Sequence, residues 1–182
     1  MMGSILTVIE KQSLIIYRWY SSIELAEDIN QLAVNLIQSK LESQGEIVWR
    51  DQTDLVISAT LKEAIKAAMK RTRVVIMYLG SRDLERCQEP NDFLRWEIDL
   101  ARELESNNKV RVAILVYGAL DWKDLFPKPL QAKSWGKGLM DYFGSHYITF
   151  FNADNVEDTI GRLLSVCDRR RKHGRSNKGI SV

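Results

Sequence analysis

The sequence predicts an α/β domain built on a doubly wound, parallel sheet of five strands with helices on both faces. Three observations predict it. Short apolar runs alternate with segments of helical periodicity along nearly the whole of the 182 residues. The runs RVVIMYLG (73–80) and VRVAILVYG (110–118) are apolar at successive positions, so both faces of those strands should be covered. With 45% hydrophobic and 27% charged residues, the chain can bury one sizeable core and is too short for two comfortable domains.

Behind an N-terminal extension (1–12), the domain is expected over 13–172, ahead of a basic tail (173–182) expected to be disordered. SLIIYRWY (13–20) reads as the first strand. A helix comes next in which Leu25, Ile29, Leu32, Leu36 and Ile37 recur at helical spacing, with Ser21 and Glu24 as a capping box and Gly45 as its stop. EIVWRD (46–51) is the second strand and QTDLVISA (52–59) a loop. The next helix opens at Thr60, again with S/T-x-x-E, and carries Leu61, Ile65 and Met69 inward. The third strand leads through a polar loop, SRDLERCQEPND, into the helix NDFLRWEIDLARELE. The fourth strand is followed by a looser stretch (119–145), the short strand HYITFF (146–151), and a last helix over 156–172 capped by Asn155. Helices alternating with parallel strands in this way give the flavodoxin-like arrangement. Ligands in such sheets sit at the carboxyl ends of the strands near the topological switch point, here lined by residues 17–22, 80–82 and 118–122.

Within NDFLRWEIDLARELE, a rotation of about 100° per residue gathers Phe93, Leu94, Ile98, Leu100, Ala101 and Leu104 into one arc, and Glu97 falls inside it. Burying a carboxylate requires a partner or a chemical use. Glu97 lies about one turn into the helix, so its side chain leans toward the helix start and the rim of the sheet. Either it faces the crevice, or it pairs with a buried arginine or backbone amides. Glu105 also lies near the arc, at the end expected to fray.

Several functions are excluded by what is missing. Lysine and arginine exceed the acids by only two, with much of that excess in the RRRKHGRSNKG tail, so no nucleic-acid surface is indicated. Cys87 and Cys167 form no C-x-x-C pair and the only histidines are His146 and His173, too few ligands for a metal site and consistent with a reduced, cytoplasmic protein. The longest apolar runs are strand-sized, so no integral membrane segment is expected. YRWYSSIELAE lacks the glycine of a flavin loop, the strand ends lack receiver-type aspartates, and no P-loop, dinucleotide fingerprint or G-x-S-x-G elbow is present.

What is present is Tyr17, Arg18 and Trp19 after the first strand, Asp51 ending the second, and the run GSRDLERCQEPNDFLRWEI after the third. LIIYR, VWRD, and Leu84, Cys87, Asp92, Phe93 and Glu97 in that order and spacing resemble the Toll/interleukin-receptor (TIR) domain family, over roughly residues 13–172. The likeness is greatest to its NAD-cleaving branch, which includes the axon-degeneration SARM proteins and bacterial defence TIR proteins. There are departures. Ile16 replaces a small hydroxyl residue, Phe93 stands where tryptophan is usual, and Ser58 takes the place of a glycine in the loop after Asp51.

The resemblance implies a catalytic role for Glu97, a nucleotide pocket lined by Tyr17 and Arg18, and an aromatic, Trp122, that stacks on nicotinamide from a neighbouring subunit; Trp19 and Phe93 would add aromatic faces. The reaction implied is cleavage of the nicotinamide–ribose bond of NAD, taken as a substrate with no further cofactor, to ADP-ribose, a cyclic isomer or a base-exchange product. A carboxylate in a partly dry cleft would stabilise the oxocarbenium-like ribose. Two alternatives stand beside it: a non-catalytic TIR signalling adaptor that self-associates or binds other TIR domains through residues 52–59, and a nucleoside ribosyl-transferring enzyme of similar fold.

Overall fold

The computed structural model describes residues 12–17, 25–50, 61–151 and 153–173. The sheet has five strands: β1 (Gln12–Ile16), β2 (Ile47–Arg50), β3 (Val74–Leu79), β4 (Arg111–Val116) and β5 (Ile148–Phe150). All neighbours are parallel in the order β2-β1-β3-β4-β5, with Ser13 opposite Val74 and Val74 opposite Arg111. The order reverses at β1 and β3, so a switch point opens at their carboxyl ends. All six residues of β3 are buried, as its unbroken apolar run requires.

Seven helices clothe the sheet among the described residues: α1 (Leu25–Ser43), α2 (Leu61–Arg71), α3 (Ser81–Arg86), α4 (Phe93–Ser106), α5 (Lys128–Ala132), α6 (Ser134–Gly144) and α7 (Val156–His173). Alternate strand residues divide the core into two. Leu14, Ile16, Val75, Met77, Val112 and Ile114 face Ile65, Met69, Leu84, Ile98 and Leu104 of α2, α3 and α4. Ile15, Tyr17, Val74, Ile76, Ala113 and Leu115 face Val34, Ile37 and Leu41 of α1 and Ile160 and Leu163 of α7. This two-sided burial is the doubly wound arrangement expected from the apolar runs. Asn155 caps α7 as predicted, its side chain accepting the Asp158 amide at 3.2 Å.

Four expectations require correction. The polar loop 81–92 contains α3, because Leu84 and Cys87, three residues apart, both reach the core and Asp83 supplies an acid to the first turn. The looser stretch 119–145 contains α5 and α6. Its prolines and glycines read as breakers, yet Pro129 sits in the first turn of α5, and a β-carbon on Gly136 would lie 1.9 Å from the Leu130 carbonyl oxygen, so the glycine permits helix contact. On α1 the buried stripe is Val34, Ile37 and Leu41, while Leu32 and Leu36 are exposed; on α2, Ile65 and Met69 are buried but Leu61 is exposed. Glu105 does not fray, because Val112, Tyr142 and His146 hold its carboxylate. The Ser21–Glu24 cap, Thr60, residues 1–11, 51–59 and 174–182 lie outside the described residues.

Candidate active site

The carboxyl edge of the sheet is built by β1, β3 and β4 and by the chain segments that leave them. Tyr17 leaves β1 with 3% of its surface exposed, its ring in the α1-side core and its hydroxyl donating to Gln31 Oε1 at 3.4 Å. Gly80 ends β3 in an extended conformation and starts α3. The Gly80 amide donates to the Asp83 carboxylate at 2.7 Å, and the Tyr117 hydroxyl donates to the same oxygen at 2.8 Å. Gly118 then turns the chain at φ +70°, a conformation that favours glycine.

Trp122 opens a 3-10 turn, Trp122–Leu125, whose start is fixed by the Lys123 amide donating to Asp121 at 3.0 Å. The indole is partly buried. It meets Phe126 edge-on at 6.0 Å and Phe143 at 6.1 Å, so it is fastened within its own chain. Helix α3 packs against this turn.

Helix α4 begins where it does because Asp92 caps it, accepting the Arg95 amide at 3.0 Å. Cys87 Sγ lies 3.3 Å from the same carboxylate oxygen and joins the end of α3 to the start of α4. Glu97, the fifth residue of α4, is 1% exposed and shares the buried face with Leu94, Ile98 and Ala101. Phe93 stands one turn earlier on the same side. It is partly buried and tilted against Trp96 at 5.4 Å, and the Lys62 ammonium lies 5.3 Å from the Trp96 ring. The structure thus places Glu97 and Phe93 together on one face of the sheet, with Tyr17 on the opposite face. Arg18, Trp19 and the 52–59 loop lie outside the described residues.

Two polar clusters were not expected from the sequence, which flagged Glu105 near the apolar arc but not its partners. Asp83, the buried hub between β3 and β4, was hidden in a segment read as a polar loop; the third-position acid of S-R-D was its only signal. The second group lies at the amino edge. There Glu105 accepts the Val112 amide at 2.8 Å, His146 Nε2 at 2.8 Å and the Tyr142 hydroxyl, lining a cleft of about 500 Å³ with Arg102. His146 Nδ1 lies 2.7 Å from the Tyr142 carbonyl. A carbonyl at one ring nitrogen and a carboxylate at the other favour the doubly protonated, imidazolium form of the ring. The bond to Glu105 raises the His146 pKa against the opposing effect of burial. Burial pushes Glu105 up, but the bonds from His146, Tyr142 and the Val112 amide outweigh it and leave its pKa below the ordinary value. The Ser145 hydroxyl donates to the Tyr142 carbonyl at 2.7 Å and lies 3.1 Å from His146 Nδ1.

Comparison with solved structures places this architecture. The chain is similar to the TIR domains in the activated Roq1 resistosome directly recognizing the pathogen effector XopQ, at TM-score 0.52 and 12% identity over 88% of this chain and 85% of that one. It is also similar to a chain of the RPS4 and RRS1 TIR domain heterodimer, at TM-score 0.54 and 14% identity over 90% of this chain and 98% of that one. The chain has the TIR-domain fold. No family model and no curated protein sequence matches it. Glu97 lies on α4, the second helix after β3. Among the described residues no helix is long and apolar enough to cross a membrane, and no group of three His, Cys, Asp or Glu side chains is placed to hold a metal ion.

Proposed function

We propose that this TIR-fold domain cleaves the nicotinamide–ribose bond of NAD, with Glu97 as the catalytic carboxylate. The observation that carries the reading is the position of Glu97: a carboxylate 1% exposed, one turn into α4, on the face that packs against the sheet. A buried carboxylate at a site of this kind is suited to stabilise positive charge developing on a ribose as neutral nicotinamide departs. Phe93, one turn before it, offers an aromatic face. Arg18 is assigned to the nucleotide, with Trp19 as a further ring; Tyr17, buried on the opposite face of the sheet with its hydroxyl on Gln31, does not share the side that carries Glu97. Trp122 is assigned to the nicotinamide of a neighbouring subunit's site.

Water reaching the ribose yields ADP-ribose, and an internal nucleophile yields a cyclic isomer. Incubating the protein with NAD over a range of protein concentrations and following free nicotinamide tests the proposal. Release that grows with protein and time is the predicted result. A second reading, an adaptor acting through TIR–TIR contact, is favoured by the likeness to a TIR heterodimer. It predicts self-association with no nicotinamide released at any concentration.

A further inference from the structure

We propose that Asp83 is a positioning residue which, through Tyr117, sets segment 118–122 at the rim of the candidate active site. What that segment does there rests on the NAD-cleaving reading; how it is held rests on the geometry alone.

Asp83 is 1% exposed, and one of its oxygens accepts both the Gly80 amide at 2.7 Å and the Tyr117 hydroxyl at 2.8 Å. Burying a carboxylate is costly, and capping a short helix requires only the first of these bonds. The second bond ties the carboxyl end of β3 to that of β4, between residues 34 positions apart. Tyr117 is fixed at its other end too, its amide donating to the Leu79 carbonyl at 3.1 Å. Its ring stacks on Tyr78 with centroids 4.5 Å apart and planes inclined by 18°. The ring also crosses Gly80 so closely that a β-carbon there would lie 2.5 Å from it. Immediately after this anchored residue the chain turns at Gly118 and runs to Trp122. The hydroxyl bond therefore fixes the last residue before the segment that carries Trp122 to the rim.

The test uses the full chain with Tyr117→Phe, which keeps the ring stack and the amide bond, and Asp83→Asn. Hydrogen exchange at 118–122 should quicken about tenfold in each, the loss of roughly one hydrogen bond of local stability. KM for NAD should rise about tenfold while kcat changes less than about threefold, because the segment is misplaced and Glu97 is not. The double variant should be no worse than either single one. A merely structural role predicts instead a uniform rise in exchange along β3 and β4 with no split between KM and kcat, and that result overturns the proposal. Unchanged exchange at 118–122 overturns it as well. If the wild type releases no nicotinamide, faster exchange confined to 118–122 still supports the clamp, and only the NAD reading falls.

Discussion

A β-carbon on Gly80 would sit 2.5 Å from the Tyr117 ring, and that ring is held by a stack and a hydrogen bond. Gly80→Ala is therefore expected to push Tyr117 off Asp83 and to cost about 1–2 kcal/mol in a denaturant titration, the combined worth of the bond and the stack. The same cluster shows why single residues were unevenly legible in the sequence. Glu97 stood out because it broke a clear apolar arc of its own helix. Asp83 did not, because its role depends on Tyr117, 34 residues away, and no local pattern reports such a partner. Burial and the Asp83 charge both raise the Tyr78 pKa, so Tyr78 stays neutral well above physiological pH and keeps an apolar stack against Tyr117.

Among the elements, α4 is anchored at both ends by side chains. Asp92 fixes its start, and Glu105 fastens its last turn to β4 through the Val112 amide and to the end of α6 through Tyr142 and His146. The His146 pKa is raised above its ordinary 6.5, so its contribution to stability is complete below that pH and is lost as pH rises through the folded value. The Glu105 pKa is lowered below 4.5, so its contribution is present above that pH and is lost only in stronger acid. The clamp is thus strongest between these two ordinary values. His146→Ala should cost about 1–2 kcal/mol near pH 6, a fall in Tm of about 2–8 °C, and the difference from wild type should narrow toward alkaline pH. Thermal melts of both proteins across pH check this. Elements that cover both faces of the sheet were legible because strands buried on two sides read as unbroken apolar runs. Helices α5 and α6 were not, since Pro127, Pro129, Gly136 and Gly138 look like interruptions until the close approach of Gly136 to Leu130 is seen.

At the scale of the whole molecule, the strand order puts the switch point beside Gly80, and the likeness to solved TIR domains extends over 88–90% of the chain. If Trp122 completes a neighbour's site, specific activity should climb steeply with protein concentration. Trp122→Ala should remove the activity at a modest loss of stability, about 1–3 kcal/mol from its contacts with Phe126 and Phe143. A specific activity independent of concentration would favour a pocket contained within one subunit. The claim that this domain is an NAD-cleaving enzyme built around Glu97 is tested most directly by nicotinamide release from wild type and Glu97→Gln measured side by side, each with its Tm. The amide keeps the shape and removes the charge that meets the oxocarbenium. Glu97→Gln is expected to lose about a hundredfold or more in rate, about 3 kcal/mol of transition-state stabilisation, with the fold intact. A Glu97→Gln protein that melts several degrees lower yet turns over NAD as fast as wild type would contradict it.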